Sequence, residues 1–298
     1  MTGIVRRYVY VPLWIMLFLG LWPVSQKRLL LWTDPVRFWD QAIREHPKSP
    51  EGYFERGLVF DERGEKALAL RDYAKAMELG AAPRALMSWA AIKIGGGEPG
   101  EVWTMTRSAL LKRNMRAGAF MLRGALSELK GRKRPALHWF GLSLKADPGY
   151  VPSLMARAAV LLKNDRPDMA LPDLKRALSA EPDFCGARYL SGMALLRLER
   201  WDEAATAFKR LRKDGWLKEG LSFQLGYAYL KSGRWDLAQA SYEQSVREDP
   251  AFSEAYFHLG LLHLEERRIE LARAYFKEAL KLDPSNKIYI DMLEKFKR

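Results

Sequence analysis

The sequence predicts an all-α fold: an α-solenoid of about seven stacked helix pairs, led by one N-terminal transmembrane helix. Three observations carry this. Residue types recur every 34 positions over most of a 298-residue chain. One early stretch of nineteen residues contains no charge. Apolar residues make up 48 % of the chain with a single cysteine, Cys185, so a core is available and an intrachain disulfide is not. Global disorder is excluded by the same composition.

Residues 1–28 come first. Tyr8 to Gln26 is uncharged, flanked by Arg6 and Arg7 before and Lys27 and Arg28 after. Nineteen helical residues at about 1.5 Å each roughly match a ~30 Å hydrocarbon layer. Trp14 and Phe18 lie inside this stretch, and Tyr8 and Trp22 sit near its ends, where interfacial aromatics are expected. A cleaved signal is the rival, but Leu21-Trp22-Pro23-Val24-Ser25 has no small-x-small cleavage pattern. A buried helix is the second rival, weakened by Pro12 and Pro23. The segment is therefore expected to be a retained single-pass anchor in the lipid bilayer. Basic residues on its two sides nearly balance. The short basic leader favours a cytoplasmic N-terminus, with the repeats on the periplasmic side.

Residues 29–49 form a connector and a lone amphipathic helix over Pro35–His46, with Phe38, Trp39 and Ala42 on one face. Residues 50–286 hold the repeats. Small residues recur at Ala90, Gly124, Ala158, Gly192, Gly226 and Gly260. A second small series runs Ala136, Ala170, Ala204, Ala238 and Ala272, and a bulky one Phe140, Leu174, Phe208, Tyr242 and Phe276. Prolines 148, 182, 250 and 284 close units, because proline cannot continue the helical ladder. Small residues mark close approach within a pair, and the bulky residue is expected to fill the gap towards the next unit. Units begin near Pro50, Pro83, Ala117, Val151, Cys185, Glu219 and Ser253. None can bury its apolar face alone, so they must stack. The unit at 83–116, with Gly95-Gly96-Gly97, is expected to have short or irregular helices. Residues 287–298 read as a capping helix with Ile288, Met292, Leu293 and Phe296 facing inward.

These series resemble the tetratricopeptide-repeat (TPR) family. In the last unit Tyr256, Leu259, Gly260, Ala272, Phe276, Ala279 and Pro284 fall on the family pattern. The resemblance implies a protein-binding scaffold, not an enzyme, whose groove is lined by the first helix of each pair, helix A. Carried over to this chain, the groove positions include Phe54, Met87, Met121, Met155, Tyr189, Met193, Phe223, Tyr227 and Phe257. That strip is apolar in a chain that is 29 % charged, and methionine adapts to varied partner shapes. The family's chaperone-docking clamp uses asparagines on helix A. Asn114, Asn164 and Asn286 fall on none of those positions, so that activity is not expected.

The formal charge of +13 is concentrated, with twelve Lys and Arg against four acids in residues 83–150. Lys130, Arg132, Lys133 and Arg134 form a basic turn that is a candidate for contact with an anionic surface. No aromatic residues are interleaved with it, so nucleic acid is not the expected partner. No cofactor or metal is expected. His258 and His263 lie five apart, about 140° around a helix. Three functions follow as expectations. The first is a scaffold for membrane or envelope complex subunits. The second is an accessory of glycan or polysaccharide assembly or export, since residues 31–39 resemble the connector of certain glycosyltransferases with repeat tails. The third is a lipid-binding adaptor.

Overall fold

The computed structural model describes residues 34–216 and 220–295. They form sixteen α-helices with no strand among them. Pro35–Glu45 (α1) stands alone. Pairs follow: Pro50–Glu62 (α2) with Lys66–Leu79 (α3), Ala82–Gly95 (α4) with Pro99–Ala109 (α5), and Arg116–Leu129 (α6) with Lys133–Ala146 (α7). Next come Val151–Lys163 (α8) with Pro167–Ala180 (α9), Cys185–Arg197 (α10) with Trp201–Lys213 (α11), and Leu221–Lys231 (α12) with Trp235–Glu248 (α13). Ser253–Glu265 (α14) pairs with Ile269–Leu282 (α15), and Lys287–Lys295 (α16) ends the array. Four units start on the expected residue: Pro50, Val151, Cys185 and Ser253. Tyr8, Trp14, Phe18 and Trp22 of the expected anchor lie outside the described residues. Among those described, no helix is long and apolar enough to cross a membrane.

Every A-to-B turn is built alike. One residue has positive φ, at Gly64, Gly97, Gly131, Asp165, Glu199, Gly233 and Arg267 in turn. The amide that follows it donates to the carbonyl five residues back, as Arg132 does to Ser127 and Arg200 to Leu195. This is a left-handed helix stop that satisfies a carbonyl the helix would otherwise orphan. Glycine meets the backbone demand in four turns. Asp165, Glu199 and Arg267 meet it against the clash between Cβ and the following carbonyl.

The core of a pair is a ring seated on a glycine. A Cβ built on Gly192 would lie 2.5 Å from Phe208, on Gly226 2.8 Å from Tyr242, and on Gly260 2.6 Å from Phe276. Gly124 meets Phe140 and Gly57 meets Tyr73 in the same way. All five rings are fully buried. The bulky residue therefore packs first on its own helix A, a contact that the expectation of filling the gap to the next unit left out. The reason is geometric: antiparallel helices 8–10 Å apart leave room for a ring only where one side chain is missing. Tyr242 in addition stacks on His258 of the following unit, at 5.1 Å. Where helix A carries alanine instead, at Ala90 and Ala158, the seat on helix B holds Thr106 or Leu174.

The chain divides into two compact units, residues up to Ala146 and from Asp147 onward. In the first, Arg56 of α2 is bidentate to the buried Asp72 of α3, at 2.7 and 2.8 Å, and reaches Asp40 of α1 at 2.6 Å. One guanidinium thus ties three helices, beside Ile43 of α1 packed against Gly52. The unit at 83–116 departs as expected in part. Its α4 has a full fourteen residues, whereas α5 has eleven and is followed by a short 3-10 turn at Arg113–Met115. In the second compact unit, Arg157 and Asp173 repeat the bidentate pair, both bonds 2.6 Å. The capping helix turns a different face than expected. Tyr289 is its buried residue, stacked on Phe257 at 4.9 Å, and Ile288 is 62 % exposed. Tyr289, Met292 and Leu293, at i, i+3 and i+4, make the apolar stripe. Phe296 lies outside the described residues.

Candidate binding surfaces

From Asp147 onward, the helix A positions assemble into an aromatic strip. Tyr189 packs on Phe208 at 5.9 Å and on Trp216 at 5.4 Å. Phe223 meets Tyr242 at 5.5 Å, Phe252 at 5.1 Å and His258 at 5.2 Å. Tyr227 stands edge-on to Trp201 at 6.1 Å with Lys231 over its ring, and Phe257 meets Phe276 at 5.4 Å. Tyr189, Phe223 and Phe257 share one geometry: a tilted ring against the ring nineteen residues later on helix B. Each of these residues, with Met155 and Met193, is half-buried. Neighbouring rings fix each aromatic side chain while part of its surface stays exposed, which gives a preorganised apolar surface.

In the compact unit ending at Ala146 the positions separate. Met87 is half-buried, but Phe54 is 5 % exposed under Arg84, and Met121 is 6 % exposed. Phe54 and Met121 are core. A run of three available methionines is therefore not formed. Burial at this position depends on how closely the neighbouring helices approach, which spacing alone does not express.

The basic turn is placed where its surroundings matter. Lys130, Arg132, Lys133 and Arg134 are all exposed. Lys130 and Arg132 line a pocket of about 350 Å³ together with Trp103, Trp139, Leu126 and Pro99. Trp103 is 43 % exposed and stands edge-on to Trp139 at 6.1 Å. Arg123 lies over both rings, at 4.6 and 5.1 Å, while Phe120 stacks on Trp139 at 5.9 Å. No aromatic is interleaved with the basic run, and the fold supplies two beside it, Trp103 from α5 and Trp139 from the α7 helix that begins at Lys133. The signal that could have revealed them is positional. Trp139 occupies the seat held by Asp72 and Asp173 in other units, facing the arginine position of Arg56 and Arg157.

Electrostatics follow burial. His258, enclosed by Phe223, Tyr227, Tyr242 and Phe257, has its pKa pushed down to about 4 by desolvation. Burial raises the Tyr242 and Tyr189 phenols. Burial, reinforced by Arg107, lowers Arg123. Among the described residues no group of three or more His, Cys, Asp or Glu could hold a metal ion.

A family model described as tetratricopeptide repeat matches residues 37–85, 155–216 and 223–287, together more than half of the chain. It passes over 86–154, the stretch that carries Trp103, Arg123, the basic turn and Trp139. Among solved structures, one described as MamA protein shares 26 % identity at a TM-score of 0.53, over 56 % of this chain and 92 % of its own. A MamA from Desulfovibrio magneticus RS-1 shares 17 % identity at a TM-score of 0.54, over 57 % and 97 %, a likeness of fold alone. No curated protein sequence matches the chain.

Proposed function

This chain belongs to the tetratricopeptide-repeat family, and from that premise we propose that it is a membrane-anchored scaffold, binding partner proteins on its helix A faces as an assembly or accessory subunit of a cell-envelope complex. The fold is that of protein-interaction scaffolds. The observation that carries the reading is the half-buried strip Met155, Tyr189, Met193, Phe223, Tyr227 and Phe257 on consecutive A helices. Its rings are held by their own pairs before any partner arrives, so little ordering entropy is lost on docking. An amphipathic helix or an extended apolar segment matches such a surface.

The uncharged stretch from Tyr8 to Gln26 supports anchorage, and the short basic leader supports repeats on the periplasmic side. A reporter fused after residue 298 reads that side directly; activity only from a cytoplasmic reporter would reverse it. Partner binding is tested by affinity purification from detergent extract, comparing the native chain with Met193→Glu/Tyr227→Glu. Both substituted side chains are half-buried, so the helical spectrum is expected to survive. A partner lost in the variant supports the strip. A partner retained, or no stable partner with the native chain, counts against the scaffold.

A further inference from the structure

Three arginines occupy the same repeat position, and two of them are neutralised by the same partner position. Arg56 and Arg157 are each bidentate to an aspartate, Asp72 and Asp173. Arg123 faces Trp139 instead, and its Nε donates to the Thr106 hydroxyl at 3.1 Å. A partly buried guanidinium is thus left without a carboxylate and sits against two indoles. No acid lines the adjoining pocket, whose cations are Lys130 and Arg132. The nearest acids on α5 and its approach, Glu98 and Glu101, are both engaged by Lys93. At the tip, Leu129 is 66 % exposed directly before the basic run.

We propose that this pocket, lined by Trp103, Trp139, Lys130 and Arg132 and backed by Arg123 over both indoles, receives the phosphate of an anionic phospholipid, docking the α6–α7 turn on a bilayer surface. The side chains fit both layers of that interface. Cations meet the phosphate, with attraction that falls within a Debye length. An exposed leucine and a half-exposed tryptophan suit the boundary between headgroup and acyl chain. Single-stranded nucleic acid fits less well, because Trp139 already has Phe120 stacked on it and Arg123 over it, and stacking a base requires a free face. The docking does not depend on the groove reading or on the anchor.

The test is residue-specific, so insertion of the N-terminal segment does not confuse it. The full chain is mixed with nanodiscs of phosphatidylcholine, or of equal parts phosphatidylcholine and phosphatidylglycerol, at low salt. Lysine acetylation is read by mass spectrometry, with Lys277 as the reference. The expected result is about threefold or greater protection of Lys130 and Lys133 by phosphatidylglycerol, weakened in high salt. Trp103→Ala and Arg132→Glu should each abolish it. If Trp103→Ala speeds amide exchange in residues 34–146 and so has lost its fold, Arg132→Glu alone decides. Equal reactivity in both nanodiscs overturns the proposal, as does protection that survives Arg132→Glu. Stronger protection by an oligothymidylate, or equal protection by soluble glycerophosphate, overturns it in favour of a nucleic acid or a free phosphate ligand.

Discussion

At the scale of single residues, the seat of each ring decides most. Phe208 is fully buried and a Cβ on Gly192 would stand 2.5 Å from it, so the ring has nowhere to retreat. Helix propensity favours alanine over glycine by about 1 kcal/mol, but overpacking a closed site costs about 1–3 kcal/mol. Gly192→Ala is therefore expected to destabilise, and Gly192→Ala/Phe208→Leu to recover much of the loss, because Ala158 with Leu174 is the same exchange already present in the array. Urea denaturation of the two single variants and the double variant measures this coupling. His258 gives a second residue-scale expectation. Its folded pKa is about 4, against ~6.5 for a free imidazole. The unfolded chain therefore takes up the proton first as pH falls. Stability from the neutral ring is complete above pH ~6.5 and is lost on descending towards about 4, an effect on the order of 2 kcal/mol. His258→Gln should flatten that part of the stability curve measured between pH 7.5 and pH 4.5.

At the scale of elements, the left-handed turns and the terminal cap are the places where local chemistry and the fold disagree or agree most visibly. Glu199 and Arg267 adopt φ of 57° and 58° where four other turns use glycine. Glu199→Gly and Arg267→Gly should each stabilise by about 0.5–1 kcal/mol, as relief of Cβ strain outweighs added freedom in the unfolded chain. A lower urea midpoint in either variant would mean that the side chain contributes something the turn geometry does not show. For α16 the anchor is Tyr289, 3 % exposed, stacked on Phe257 with its hydroxyl 3.4 Å from Ser253. Tyr289→Ala should cost about 3–5 kcal/mol locally and free the α14–α15 pair, seen as faster amide exchange there. Ile288→Ala, at an exposed position, should leave exchange unchanged.

At the scale of the whole molecule, each of the two compact units is stabilised mainly by neighbour-to-neighbour packing, as expected of an array of this kind. Gly57→Ala, which drives a Cβ against Tyr73, should speed amide exchange in residues 34–146 while 147–295 keep native protection. Uniform acceleration would show that the array unfolds as one. What was legible from sequence divides along the same physical line. Helix starts at Pro50, Val151, Cys185 and Ser253 were readable because a repeat multiplies every weak local signal by the number of copies. Burial of Phe54 and Met121 was not, because it depends on the distance between helices rather than on position within one. Tyr289 was missed because a nine-residue helix offers too few turns to fix its inward stripe. The pocket at Trp103 and Trp139 was hidden because it is defined by a departure from the period: a tryptophan standing where aspartates stand elsewhere.

The stretch of sixteen residues from each seating glycine to its ring spans one A-to-B turn, while the links from B to the next A lie outside it. An extra residue placed between Gly226 and Tyr242 would rotate the ring off its seat by about 100° of helix. The same residue placed near Pro250 would fall in a connector, where chain length can vary without disturbing either neighbour's seat. The chain already contains such a slip: the first unit is followed by the second after 33 residues rather than 34, yet Gly57 still faces Tyr73. Lineages of this array should therefore gain and lose residues at the joints between hairpins and almost never within them, and grafted loops for engineering belong at those same joints.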